Sequence, residues 1–226
     1  MIVQSTPVRR IGLMLPSSNT VVEPEAHKLI PQDGSITLHF SRFRVTVISN
    51  DAASTRQFEF EPMLQAAMLL ADAKVDRIVW AGTAASSLGF ARDEALVKAI
   101  ESRCGIPATT AVIAINAQLL KLGAKRIGLV TPYVAAIEER IIENYRQWGV
   151  EVIASRRLDL SVNTDYAAVQ PECIEAMSRD VASAHPDAVV IMCTNLRYGV
   201  RARDVSLAKN LPVIDSVAAT ISACLA

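Results

Sequence analysis

The chain has 226 residues and 24.4 kDa, is 51% apolar with a mean hydropathy of +0.27, and balances 23 basic residues against 23 acidic ones, for a pI near 6.8. That length allows one large domain or two small ones with a generous core. The even charge leaves no basic stripe for nucleic acid, and no apolar run approaches the ~20 residues a membrane-spanning helix needs, so neither partner is expected.

In chain order, residues 1–10 lack the apolar core of a signal peptide, which makes the cytoplasm the expected location. A strand over Arg10–Leu15 runs into Pro16-Ser17-Ser18-Asn19-Thr20, three hydroxyls and an amide where a helix cap needs only one. A strand over Ile36–Phe43 precedes the loop Val45–Ala53, in which Val45, Val47 and Ile48 favour an apolar substituent on a ligand. The 3.6-residue period then predicts a helix over Pro62–Ala73, a strand over Arg77–Ala81 and the loop Gly82–Ser87. Gly82 permits a close ligand approach and Thr83 offers a hydroxyl; a plain strand-to-helix turn with an N-cap accounts for the pair equally well.

A helix over Asp93–Arg103, a strand over Ala108–Thr110 and a helix over Val112–Leu122 complete the first stretch. The pattern restarts with a strand at Arg126–Val130, the loop Thr131-Pro132-Tyr133, a helix over Ala135–Trp148 and a strand over Glu151–Arg157. Asn163 precedes a helical pattern over Asp165–Ala184, where capping is its ordinary role. The strand Ala188–Met192 ends at Cys193-Thr194-Asn195, and Val213–Asp215 is the last strand. Alternating strands and helices, with strands apolar throughout such as Val189–Met192, specify an α/β fold of parallel sheets covered on both faces.

Three blocks recur in order: Arg10-Ile11-Gly12-Leu13 with Arg126-Ile127-Gly128-Leu129, Asp76–Thr83 with Asp187–Thr194, and Gly105-Ile106-Pro107 with Asn210-Leu211-Pro212. The chain is therefore expected to form two pseudo-symmetric Rossmann-like halves, 1–110 and 111–212, with 213–226 packing back on the first. In parallel sheets ligands collect beyond the carboxyl ends of the strands, so Pro16–Thr20, Gly82–Ser87, Thr131–Tyr133 and Cys193–Arg197 are expected to share one cleft between the halves. Helix N-termini there favour an anion, which points to a carboxylate ligand. Arg197 lies near enough to pair with an acid, although a surface role is commoner.

No two of the three histidines have a metal-ligand spacing, and the four cysteines form no C-x-x-C pair, so no metal and no disulfide framework are expected. Cys104, Cys173 and Cys224 fall in helical patterns. Cys193 follows a buried strand, and at a helix N-terminus its thiolate would be stabilised; a small buried hydrophobe is the competing reading.

The motifs Pro16-Ser17-Ser18-Asn19-Thr20, Val130-Thr131-Pro132-Tyr133 and Cys193-Thr194-Asn195 resemble those of the maleate cis-trans isomerase and arylmalonate decarboxylase branch of the aspartate/glutamate racemase superfamily. The resemblance spans nearly the whole chain and implies a cofactor-independent enzyme acting on a small dicarboxylic acid. In that superfamily two cysteines usually face each other, and the isomerases use the first as a nucleophile while residues matching Asn19, Tyr133 and Asn163 hold carboxylates. This chain has Gly82 at the first cysteine. Gly82-Thr83 with a single Cys193 is the decarboxylase arrangement, in which Thr83 and Tyr133 help form an oxyanion site and Cys193 protonates the carbanion. Ala84 departs from that pattern, which offers a serine. The resemblance thus implies catalytic Cys193, Thr83 and Tyr133, with Pro16, Ser17, Asn19, Gly82, Ala84, Asn163 and Thr194 around the substrate. Decarboxylation of a malonate-type diacid is the expected reaction; isomerisation or racemisation of a small carboxylate, or carboxylate binding without catalysis, are the alternatives. Apolar helical faces in the first half suit a homodimer.

Overall fold

The computed structural model describes residues 8–203 and 211–225. The first parallel sheet holds β1 (Arg9–Pro16), β2 (Ile36–Phe43), β3 (Arg77–Trp80) and β4 (Ala108–Thr110) in the order β2-β1-β3-β4. The second holds β5 (Arg126–Thr131), β6 (Glu151–Arg157), β7 (Ala188–Ile191) and β8 (Val213–Asp215) in the order β6-β5-β7-β8. Every strand pair is parallel and the two topologies are identical. The expected α/β architecture of two similar sheets is what the chain forms.

The helices are α1 (Val22–Leu29), α2 (Ala52–Arg56), α3 (Phe60–Asp72), α4 (Ala85–Leu88), α5 (Phe90–Cys104), α6 (Ala111–Leu122), α7 (Ala135–Gln147), α8 (Asn163–Ala168), α9 (Pro171–Ala182) and α10 (Ser216–Leu225). The repeated Arg-Ile-Gly-Leu block has a packing cause. A β-carbon on Gly12 would meet Val75 at 3.0 Å and Leu70 at 3.1 Å, and one on Gly128 would meet Val181 at 2.9 Å. Each glycine lets a helix lie close on its central strand, and any larger residue would push that helix off the sheet. The paired aspartates act alike: Asp76 accepts the Arg10 N–H at 2.6 Å, and Asp187 accepts those of Lys125 and Arg126, both at 2.8 Å.

Three elements depart from expectation. The helix expected over Asp165–Ala184 is two helices, because Pro171 has no N–H to continue α8 and is suited to the first position of α9. Residues Val22–Leu29 are helical although Val21, Val22 and Pro24 disfavour it; Pro24 lies in the first turn, where its missing donor costs nothing, and the Asn19 side chain accepts the N–H groups of Val21 and Val22, both at 3.0 Å. The end of the chain divides. β8 extends the second sheet, while Val217, Ile221 and Cys224 of α10 pack with Ile11, Leu13 and Val79 of the first. Among the described residues no helix is long and apolar enough to cross a membrane. Met68 and Leu69 on α3 stand exposed.

Candidate active site

The four strand-end loops converge on one cleft, lined by Pro16, Asn19, Gly82, Thr83, Ala84, Tyr133, Asn163, Cys193, Thr194 and Asn195, with an apolar wall of Val45, Ile48, Phe58, Trp80, Leu88 and Ile137. Of the apolar loop residues expected there, Val45 and Ile48 face the cleft. Val47 is 40% exposed and instead bridges Val162 across the two halves.

Hydrogen bonds, most of them between the halves, fix the polar side chains. Thr83 Oγ1 and Tyr133 Oη meet at 2.8 Å. Asn163 donates to Ser18 Oγ at 2.7 Å, Asn195 donates to the Asn163 carbonyl at 2.6 Å, and the Thr20 N–H donates to Asn195 Oδ1 at 3.0 Å. Thr194 donates to the Ala81 carbonyl at 2.9 Å and accepts from Asn19 Nδ2 at 3.3 Å. Its hydroxyl proton is therefore committed to the protein. Asn163 does not cap α8; its side chain crosses to the other half.

Ser17 is exposed, bonded to the backbone of Val45 at 3.2–3.3 Å, and does not line the cleft; its neighbour Ser18 makes the cross-half contact. Arg197 is also exposed and away from the cleft. The guanidinium at the site belongs to Arg140, one helical turn beyond Ile137 on α7. Its i, i+3 relation to an inward-facing isoleucine after Tyr133 was the available signal. Asn195 was legible only as the neighbour of Cys193-Thr194.

Cys193 opens no helix. Residues 194–200 form turns, followed by a short 3₁₀ segment at Arg201–Arg203. Instead of the lowered pKa of a helix N-terminus, burial pushes the thiol up to about 12, against the opposing pull of the Tyr133 hydroxyl and the backbone N–H groups of Asn195 and Leu196. The Asn195 N–H lies 3.3 Å from the sulfur, and Ser216 Oγ accepts the Cys193 N–H at 3.1 Å. Burial likewise holds Tyr133 well above the ordinary phenol range, so it is a donor at neutral pH. The N–H groups of Thr83 and Ala84 meet no protein acceptor among the described residues, and neither needs a side chain at position 84. The Thr83 and Tyr133 hydroxyls thus line the same cleft as a neutral thiol, an arrangement that accepts an oxyanion and supplies one proton. No three His, Cys, Asp or Glu among the described residues come together as a metal set.

Gly82 is shaped by its neighbour. A β-carbon there would fall 2.1 Å from Cζ2, 2.5 Å from Cη2 and 2.6 Å from Cε2 of the Trp80 indole. That ring is 1% exposed and packs against Phe43 at 5.0 Å between centroids. The space a side chain at 82 would use is filled by tryptophan.

The arylmalonate decarboxylase family model matches residues 11–226. A maleate isomerase of Nocardia farcinica is 27% identical over 194 residues, covering 82% of this chain and 76% of its own. The arylmalonate decarboxylase of Bordetella bronchiseptica is 24% identical over 218 residues, covering 94% and 86%. The crystal structure of a Pseudomonas putida maleate isomerase with maleate superposes with a TM-score of 0.84 at 26% identity, covering 96% of this chain and 91% of that one. The chain belongs to the arylmalonate decarboxylase family and is an enzyme related both to arylmalonate decarboxylases and to maleate isomerases.

Proposed function

We propose that the enzyme decarboxylates a malonate-type diacid without a cofactor. The observation that carries this reading is the contrast between the two sides of the cleft: a neutral thiol at Cys193, and at Gly82 no side chain and no room for one. One carboxylate of the diacid sits on Thr83, Tyr133 and the N–H groups of Thr83 and Ala84. The other lies against the apolar wall, where loss of hydration favours departure as neutral carbon dioxide. The bond between that carboxyl carbon and the α-carbon breaks, its electron pair passes into the retained carboxylate, and the oxyanion donors stabilise the enediolate. Cys193 transfers its S–H proton to the α-carbon from one face. The thiolate left behind, strongly basic in that setting, recovers a proton from water.

The relatives named maleate isomerase support a second reading, isomerisation of a maleate-type acid, with Asn19 and Asn163 as carboxylate ligands. Addition of a nucleophile to the double bond would then fall to Cys193, which burial keeps protonated. Proton NMR of the enzyme in deuterated water with phenylmalonate, methylphenylmalonate and maleate separates the two. Deuterated monoacid is the expected product; fumarate from maleate, with both malonates untouched, would establish the isomerase instead.

A variant gives an independent check. Gly82→Cys is expected to yield no isomerase activity and to destabilise the fold by about 1–3 kcal/mol, the usual cost of overpacking a full core. Gly82→Cys with Trp80→Val should relieve that contact but lose more stability still, because removing a buried indole costs about 3–5 kcal/mol. Thermal unfolding and maleate turnover read both, and a stable, isomerising Gly82→Cys protein would remove the steric basis of the decarboxylase reading.

A further inference from the structure

The catalytic cleft continues outward. Ser87, Leu88 and Arg140 line both its mouth and a second, open groove bordered by Asn50, Ala136, Glu139, Glu143 and Asn144. The inner chamber is walled by Val45, Ile48, Phe58, Trp80 and Ile137, whereas the outer groove is polar, so the character of the surface changes where Arg140 stands. Helix α7 sets this up by placing Ile137 and Arg140 one turn apart toward the cleft and Asn144 a further turn on, where it donates to the Ser86 carbonyl at 2.9 Å. No ion pair engages Arg140 among the described residues, while the neighbouring Glu143 is occupied by Arg146 and Gln147, both at 2.7 Å. Glu139 borders only the outer groove.

We infer that Arg140 is a specificity-determining residue, pairing with a carboxylate at the far end of the substrate's substituent. The substrate class is then a diacid head, an apolar middle and an anionic tail, with the head on Thr83, Tyr133 and Cys193, the middle against the apolar wall and the tail at the throat. A guanidinium suits this task because its forked donors match a carboxylate in a bidentate pair and its charge persists at every working pH. The departing carboxylate then belongs at the inner end of the apolar wall, since a cation beside that group would hold it in place. This inference rests on the inner site being a carboxylate site.

The test is calorimetric binding of three unreactive product-like acids to wild type, Arg140→Gln and Arg140→Lys: phenylacetate, 4-carboxyphenylacetate and 4-(2-carboxyethyl)phenylacetate. In wild type at least one tailed acid is expected to bind about tenfold tighter than phenylacetate. That ratio should fall to about one in Arg140→Gln and keep part of its value in Arg140→Lys. No preference in wild type, or one that survives in Arg140→Gln, overturns the assignment while leaving the inner site standing. Failure of phenylacetate to bind any variant would instead overturn the inner carboxylate site and this inference with it.

Discussion

Cys193→Ala is expected to lower decarboxylation by about 10³-fold, within the range lost when a general acid is removed. Cys193 is 3% exposed and lines the cleft, no other cysteine among the described residues lines it, and Gly82 stands where the resemblance places the first cysteine. Loss of one buried sulfur leaves a small void worth about 1 kcal/mol, so the variant should fold. Cys193→Ser keeps the shape and supplies a far weaker acid, and should be nearly as inactive. The pH profile adds a second reading of the same group. Burial raises the thiol to about 12, so the S–H form is loaded well below that value and lost only as pH rises through it. Turnover that depends on S–H should therefore be flat between pH 6 and 9. A thiolate nucleophile would give a rate climbing about tenfold per pH unit over that range. Steady-state kcat measured across the range decides between them, and a rising profile would exclude Cys193 as the proton donor.

For Tyr133→Phe the expected loss in kcat is about 10²–10³-fold, the scale of removing one oxyanion donor. Its ring is held edge-on to Tyr166 at 5.6 Å, so phenylalanine keeps the packing and removes only the hydroxyl. Thr83→Val removes the partner hydroxyl 2.8 Å away. Because the two hydroxyls bond each other, the double variant should lose less than the product of the single losses. Single-turnover rates with phenylmalonate read all three. A Tyr133→Phe enzyme with unchanged kcat and a raised KM would reassign the phenol from stabilising the enediolate to binding the substrate.

The strand pattern was legible because most strands carry a short apolar run, as at Leu13–Leu15, Ile78–Trp80 and Val189–Ile191, and because the Arg-Ile-Gly-Leu and Asp blocks repeat for the same packing reasons in both sheets. The convergence of the four loops followed from parallel topology. What could not be read was set by neighbours distant in sequence or by direction. The Trp80 ring folds over Gly82, which alternation along a strand does not disclose. The burial that raises the Cys193 thiol depends on walls from both halves, and without it the residue reads as an activated thiolate. Ser17 and Ser18 are equivalent in composition, yet the turn after β1 aims only Ser18 at Asn163. Arg197 and Arg140 differ in the same way: Arg197 follows Cys193 in sequence yet stands exposed, the commoner role for an arginine, while a helix starting after Tyr133 brings Arg140 to the cleft.

The bonds that join Asn19 to Thr194, Thr20 to Asn195 and Ser18 to Asn163 tie the halves together around the inner part of the cleft. An enzyme so latched spends little of its binding free energy on ordering itself, and that energy remains for the reacting atoms. Product escape is then expected to be a diffusive step governed by the width and charge of the opening, rather than by the slow swing of a domain.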